Sequence, residues 1–279
     1  MFLYDYHTHS NHSTDGKDPI NSLCIAAVKK GLKEIAISDH FEPTMGNERY
    51  PVYDPEKYFD EIQEVNYFLK DIIRVKTAVE LGQPHHFQEY SQRLIKNHSY
   101  DYVLASTHKM ADNNDFGELL YSSENLAGYC IKYLNELEAL AKWNRFDCIG
   151  HLDLVKRYAA NFNLNPRLID YKDRLETILK IIIENGKGIE VNTSGLRQSA
   201  KECLPDFDIL SFYRELGGEI VTIGSDAHNS EDVGKGIVDA MGLLSEVGFE
   251  CLTVFEKRKP SMIRISGRPS LYCFGKTSA

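Results

Sequence analysis

Nowhere in the 279 residues do as many as about 18 apolar residues run together, the length that a membrane-crossing helix needs. A polytopic membrane protein is excluded, and no positively charged leader with an apolar stretch opens the chain, so a cytoplasmic protein with no membrane partner is expected. The six cysteines, at 24, 130, 148, 203, 251 and 273, never form a C-x-x-C pair, which excludes a zinc ribbon or a thioredoxin-type motif. Buried or half-buried free thiols in a reducing compartment are the expectation. Basic charge is also short: 32 Lys and Arg stand against 41 Asp and Glu, for a formal charge of -9. That balance argues against nucleic acid or anionic lipid as a partner and leaves room for a small substrate held by local cations. Low-complexity tracts and Pro/Gly/Ser-rich linkers are lacking too, while 42% hydrophobic and 26% charged residues describe an ordinary folded chain. One domain over residues 1–279 is the simplest organisation.

Seven short segments rich in β-branched or aromatic residues are expected as strands: Phe2 to His7, Lys33 to Asp39, Arg74 to Glu80, Asp101 to Thr107, Phe146 to His151, Gly188 to Thr193 and Glu219 to Asp226. Helical periodicity runs between them over Ile20 to Lys30, Glu56 to Lys70, Glu124 to Lys142, Arg167 to Asn185 and Phe207 to Leu216. Nearly continuous apolar strands such as Ile220-Val221-Thr222-Ile223 suggest a parallel sheet covered by helices. A doubly wound open sheet would normally carry a glycine fingerprint after its first strand, but this first strand runs into His7-Thr8-His9. The repeated βα pattern therefore favours an α/β distorted (βα)7 barrel.

The ends of the strands are polar throughout: His7 and His9, Asp39-His40, Glu80, His108, His151, Asn192 with Arg197 close behind, and Asp226 with His228. In a parallel barrel these ends meet on one face, where catalytic groups assemble. That mixture of imidazoles and carboxylates has the composition of a multinuclear divalent-metal site. His7 and His9, and again Asp226 and His228, are two residues apart, which on a strand places both side chains on one face. An acidic Glu80 after the apolar-rich run Val75 to Val79 calls for a cation at the barrel mouth. His12, His85, His86 and His98 lack this placement and are expected in surface or supporting roles.

With these segments in view, the chain resembles the PHP (polymerase and histidinol phosphatase) superfamily, and within it the monofunctional histidinol-phosphate phosphatases. The resemblance rests on Asp5-Tyr6-His7-Thr8-His9 with Asp15-Gly16, Ile37-Ser38-Asp39-His40, Val79-Glu80-Leu81-Gly82, Asp101-Tyr102-Val103 through His108, Ile149-Gly150-His151-Leu152-Asp153, Glu190-Val191-Asn192-Thr193-Ser194-Gly195-Leu196-Arg197 and Gly224-Ser225-Asp226-Ala227-His228. It implies a PHP-type barrel holding two or three divalent ions of Mn, Fe or Zn. By that resemblance His7, His9, Glu80 and Asp226 hold one ion, Glu80 bridges to a second on His108 and His151, and Asp15, His40 and His228 hold the third.

The same resemblance implies hydrolysis of L-histidinol phosphate in histidine biosynthesis, by attack of a hydroxide shared between two ions, with Asp226, His228 and Glu80 at the chemistry. Arg197, Arg157, Lys156 and Ser194 are expected to meet the substrate; an arginine can grip phosphate with two parallel bonds, whereas a lysine offers a point charge. Two alternatives stay open: another PHP phosphoesterase acting on nucleotide or sugar phosphates, and a non-catalytic metal-binding PHP module.

Overall fold

The computed structural model describes residues 3–43 and 53–265; Phe2 of the first expected strand and Cys273 lie outside them. Eight strands form the main sheet: β1 (Leu3–Asp5), β2 (Leu32–Ile37), β3 (His40–Phe41), β4 (Arg74–Gly82), β5 (Tyr102–Ser106), β6 (Cys148–Ile149), β7 (Gly188–Asn192) and β8 (Val221–Gly224). Every pairing is parallel, in the order β1-β2-β4-β5-β6-β7-β8 with β3 beside β4. The sheet then returns on itself: Asp226 N donates to His7 O at 2.7 Å, His9 N to Ala227 O at 2.8 Å, and Thr8 bridges Ala227. It is a nearly closed barrel, and all seven expected strands are in it.

Among the described residues eight α-helices accompany the strands: α1 (Ile20–Lys29), α2 (Pro55–Leu69), α3 (Gln88–Asn97), α4 (Leu126–Trp143), α5 (Val155–Ala159), α6 (Lys172–Glu184), α7 (Phe207–Glu215) and α8 (Ile237–Val247). The first shows why they cover the sheet. Its Ile20, Leu23, Cys24 and Ala27 recur at helical spacing and are all buried, so one stripe meets the barrel while the other faces stay wet. At α2, Pro55 takes the first helical position and the Asp54 carboxylate accepts from Lys57 N, the local chemistry of a helix start. Among the described residues no helix is long and apolar enough to cross a membrane, and no disulfide joins the described cysteines.

Three helices and a hairpin escape the sequence pattern. α3 is mostly polar and buries only Ser91 and Leu94, and α5 has only five residues, so neither carries a long apolar stripe; α8 does bury Ile237, Ala240, Met241 and Leu244 at helical spacing, but Gly242 interrupts its interior. The antiparallel hairpin β9 (Cys251–Glu256) and β10 (Lys259–Arg264) turns at Lys257 and Arg258 with φ of 48° and 63°, a conformation usually announced by Asn or Gly. It packs at the end of the barrel away from the strand C-termini, where Phe255 N donates to the Tyr6 hydroxyl at 2.9 Å and Arg258 pairs with Asp147 at 2.9 Å.

Candidate metal centre

An interruption in the second strand shapes the barrel mouth. β2 pairs with the lower half of β4, Ile35 opposite Val75, and after Ser38 and Asp39 the short β3 resumes beside the upper half, His40 opposite Glu80. Asp39 holds the loop after β1: its carboxylate accepts from Ser10 N, Ser10 Oγ and Ser13 Oγ, each at 2.7 Å. Ser13 Oγ in turn lies 3.3 Å from His9 Nδ1 and takes the His40 N–H at 2.9 Å. A strand break and an acidic residue thus aim two imidazoles at Glu80.

Glu80 is fully buried, and its two oxygens face two different groups. Oε2 lies 3.1 Å from His7 Nε2, 3.5 Å from His9 Nε2 and 3.0 Å from His40 Nδ1. Asp226 Oδ1 completes that side, 3.7 Å from His7 Nε2 and 3.4 Å from His9 Nε2. Oε1 lies 3.1 Å from His151 Nε2 and 3.4 Å from His108 Nε2, and those two nitrogens are 3.5 Å apart. Beyond His9, Asp15 Oδ2 sits 3.0 Å from His228 Nε2 and 3.7 Å from His40 Nε2, and the His9 ring lies 4.2 Å from those of both His40 and His228.

These spacings suit ions. With ligand bonds of about 2.0–2.2 Å, the edges of a tetrahedron of ligand atoms are about 3.3–3.6 Å, close to the separations just given. His9 Nε2 is buried without a hydrogen-bond partner while facing two carboxylate oxygens, a placement that an intervening cation satisfies. Burial, then His228 and His40 opposite, pushes the His9 pKa well below the imidazole range and keeps the ring neutral. Burial works to raise the Glu80 and Asp226 pKa values, yet His7 with His40, and His7 with Arg157, outweigh it and hold both well below the usual range. The carboxylates are thus in the form that binds metal. The pKa values of His7, His40, His108 and His228, which burial works to lower, are raised by the acidic groups around them, and these rings would give up their protons to a bound ion.

The cation side of the mouth is more selective than its sequence suggests. Arg157 Nη2 donates to Asp226 Oδ2 at 2.8 Å and to Ser194 Oγ at 2.6 Å, and Ser194 Oγ lies 3.2 Å from the same Asp226 oxygen. Arg197 instead holds backbone, its Nη2 donating to Ser225 O at 2.8 Å and more weakly to Asp226 O at 3.4 Å, with Nη1 buried and unpartnered. Lys156, expected to meet the substrate, is placed differently from the arginines. Its ammonium is buried and engaged by Asp206, by Glu202 at 3.1 Å and by Asp153 at 3.7 Å, so its charge is matched by three carboxylates.

Several contributors escape the strand-end pattern. Glu190, on β7, places Oε1 2.6 Å from His7 Nδ1 and accepts the His151 N–H on Oε2 at 2.9 Å; a lone acidic residue inside an apolar strand is the signal that could have found it. Gly224 makes room for this pair, because a Cβ there would come within 2.3 Å of both Glu190 Oε1 and His7 Cβ. Glu42 Oε1 lies 3.1 Å from His108 Nδ1 and accepts from Gln83 at 2.8 Å, with no signal in a loop segment. Asp226 and His151 both have positive φ, 54° and 24°, backbone strain of the kind that gathers at functional sites. Outside the mouth, His12 meets Glu61 at 2.9 Å, His98 stacks on Phe59, and His85 and His86 converge on Glu136.

Comparison with known proteins agrees with this geometry. The model of the PHP domain matches residues 5–194. A probable histidinol-phosphatase of Thermotoga maritima is 31% identical over 257 residues, spanning 92% of this chain and 97% of the relative. The histidinol-phosphatase of Lactococcus lactis is 27% identical over 264 residues, spanning 93% and 96%. The crystal structure of histidinol phosphate phosphatase from L. lactis, complexed with zinc, L-histidinol and phosphate, superposes with a TM-score of 0.78 at 25% identity, over 93% of this chain and 98% of that one. Barrel, strand-end residues and relatives converge on one conclusion: the chain belongs to the PHP domain family.

Proposed function

We propose that this chain is a metal-dependent phosphomonoesterase that hydrolyses L-histidinol phosphate to L-histidinol and phosphate, a step of histidine biosynthesis. The observation that carries the reading is the division of Glu80 between two imidazole groups, one carboxylate oxygen to each, an arrangement suited to two ions side by side. The named relatives, and the L. lactis structure with its bound zinc, L-histidinol and phosphate, support the substrate. We further read residues 1–279 as one barrel domain, because β8, which lies past the matched residues 5–194, carries the closure onto the first strand.

His7, His9, Glu80 and Asp226 would hold one ion, Glu80 with His108 and His151 a second, and Asp15, His40 and His228 a third. Nitrogen and oxygen ligands without thiolate suit Mn, Fe or Zn. Bound ions would supply an activated water and neutralise the charge of the phosphate, as one of the slowest uncatalysed reactions demands. The chain's own part is positioning. Arg157, steadied by Ser194 and Asp226, presents a planar guanidinium to phosphate oxygens, and Arg197 holds the backbone at Ser225 and Asp226 with Nη1 left to donate. Glu80, Asp226 and His228 carry the chemistry through the geometry that they impose on the reacting groups.

The test is phosphate release from histidinol phosphate, a nucleoside monophosphate and an aryl phosphate, each with and without chelator. Preference for histidinol phosphate, abolished by chelation, is the expected result. Preference for the nucleotide would move the assignment to another phosphoesterase, and no release from any of the three would leave a metal-binding module.

A further inference from the structure

Outside the barrel mouth, a second cluster of ligating side chains stands on the turn that follows β4. Neighbouring residues of an extended chain point to opposite sides, yet His85 and His86 share one side here. Gln83, at φ 45°, and a bond from His86 N to Gln83 O at 3.0 Å form the turn that does this, leaving the ring centroids 4.0 Å apart. Both Nε2 atoms converge on one oxygen, Glu136 Oε2 on α4, at 2.8 and 2.6 Å. The other oxygen accepts from Ala111 N at 3.1 Å. His85 Nδ1 is buried without a partner, so that ring meets its polar surroundings through Nε2 alone.

We infer that His85, His86 and Glu136 form a binding site for one further borderline-soft divalent ion such as Zn²⁺, distinct in its residues from the barrel-mouth cluster. One ligand atom from each of the three lies within 4.8 Å of the others, and the direct contacts of 2.8 and 2.6 Å to Glu136 Oε2 would widen to about 3.3–3.6 Å around an ion. Two imidazoles and a carboxylate make a familiar zinc set, and the exposed edge of His86 leaves an entry path and a coordination position for water. The protonation states agree. Burial lowers the His85 pKa and keeps the ring neutral; burial works to raise that of Glu136, but the bonds from His85 and His86 hold it at about 2.

An ion there acts as a clamp. It ties the turn after β4 to α4, and through Ala111 to the loop that carries His108. The same turn begins at Gln83, whose side-chain oxygen accepts the backbone N–H of His108 at 2.8 Å and of Lys109 at 3.1 Å. This inference stands apart from the choice of substrate, because its readout is metal and not turnover.

Protein stripped by chelator is titrated with Zn²⁺, and bound metal is counted after desalting. The wild type should retain one equivalent more than His86→Ala and one more than Glu136→Gln, since both variants keep every barrel-mouth residue. Equal counts in the three proteins overturn the inference. A measurement without substitution stands beside it should a variant fail to fold: in ¹⁵N-labelled wild type, the imidazole signals of His85 and His86 shift as Zn²⁺ is added. Signals that stay in place at saturation overturn the inference on their own.

Discussion

Glu190 Oε1 lies 2.6 Å from His7 Nδ1, and both side chains are buried, so the ring nitrogen that faces away from Glu80 is held by a carboxylate. Such a partner fixes the tautomer and orientation of a metal-binding imidazole, and its loss typically costs about 10- to 100-fold in metal affinity or activity. Glu190→Gln keeps the shape but removes the charge. Its phosphatase activity and metal affinity should fall together within that range, and unchanged values for both in a folded variant would show that Glu190 only fills space.

Removing Glu80 should strip the centre more thoroughly, because its oxygens face His7, His9 and His40 on one side and His108 and His151 on the other. Elemental analysis of Glu80→Ala should find the barrel-mouth metal depleted and phosphate release lost with it. Chelation of the wild type should act likewise, with recovery on Mn²⁺, Fe²⁺ or Zn²⁺ and none on Ca²⁺, which prefers all-oxygen coordination. Full turnover by demonstrably metal-free protein would remove the basis of the mechanism.

The two arginines should separate in their effects. Arg157 touches Asp226 and Ser194 through one nitrogen, so Arg157→Lys keeps the charge and loses the fork. For that variant kcat/KM on histidinol phosphate should drop about tenfold or more, roughly 1.4 kcal/mol, with metal content retained. Arg197 bonds to the carbonyls of Ser225 and Asp226; Arg197→Ala should therefore lower both activity and metal content. Steady-state kinetics with elemental analysis on both variants reads the difference, and identical profiles would contradict it.

At the opposite end of the barrel, Glu34 offers a test of pH dependence. Burial raises its pKa above the ordinary 4.5, against the lowering effect of the bond from Tyr6 and the charges of Lys76 and Arg74. A carboxyl whose folded pKa is raised contributes stability that is present below the unfolded pKa and is lost as pH rises through the folded value. Urea midpoints of wild type and Glu34→Gln should thus shift in favour of the variant between about pH 4.5 and neutral pH. A constant gap would mean that Glu34 titrates as it does in the unfolded chain.

Much of the fold was legible because a strand buried on both faces leaves a local trace. Apolar runs ending in His, Asp, Glu or Asn mark seven strands of the barrel, and the i, i+2 pairs His7/His9 and Asp226/His228 mark its mouth. The hairpin at Cys251–Glu256 and Lys259–Arg264 left no such trace, since Lys257 and Arg258 adopt a turn that their side chains do not advertise. The surroundings of Lys156 left no local trace either. Read as a cation that meets the substrate, it is enclosed by Glu202 and Asp206, which lie far along the chain.

By itself the sequence determined the barrel, the face on which the polar groups gather and the ligand types available, because residue type and alternation are properties of each strand alone. Only the tertiary structure decided that Glu80 divides its oxygens between two imidazole groups, that Glu190 reaches His7, and that Arg157 touches Asp226 while Arg197 holds backbone. Each of those relationships joins groups from different elements of the barrel, Arg157 on α5 among them. Their distances are set by parallel register and by the closure of β8 onto the first strand, which no local pattern encodes.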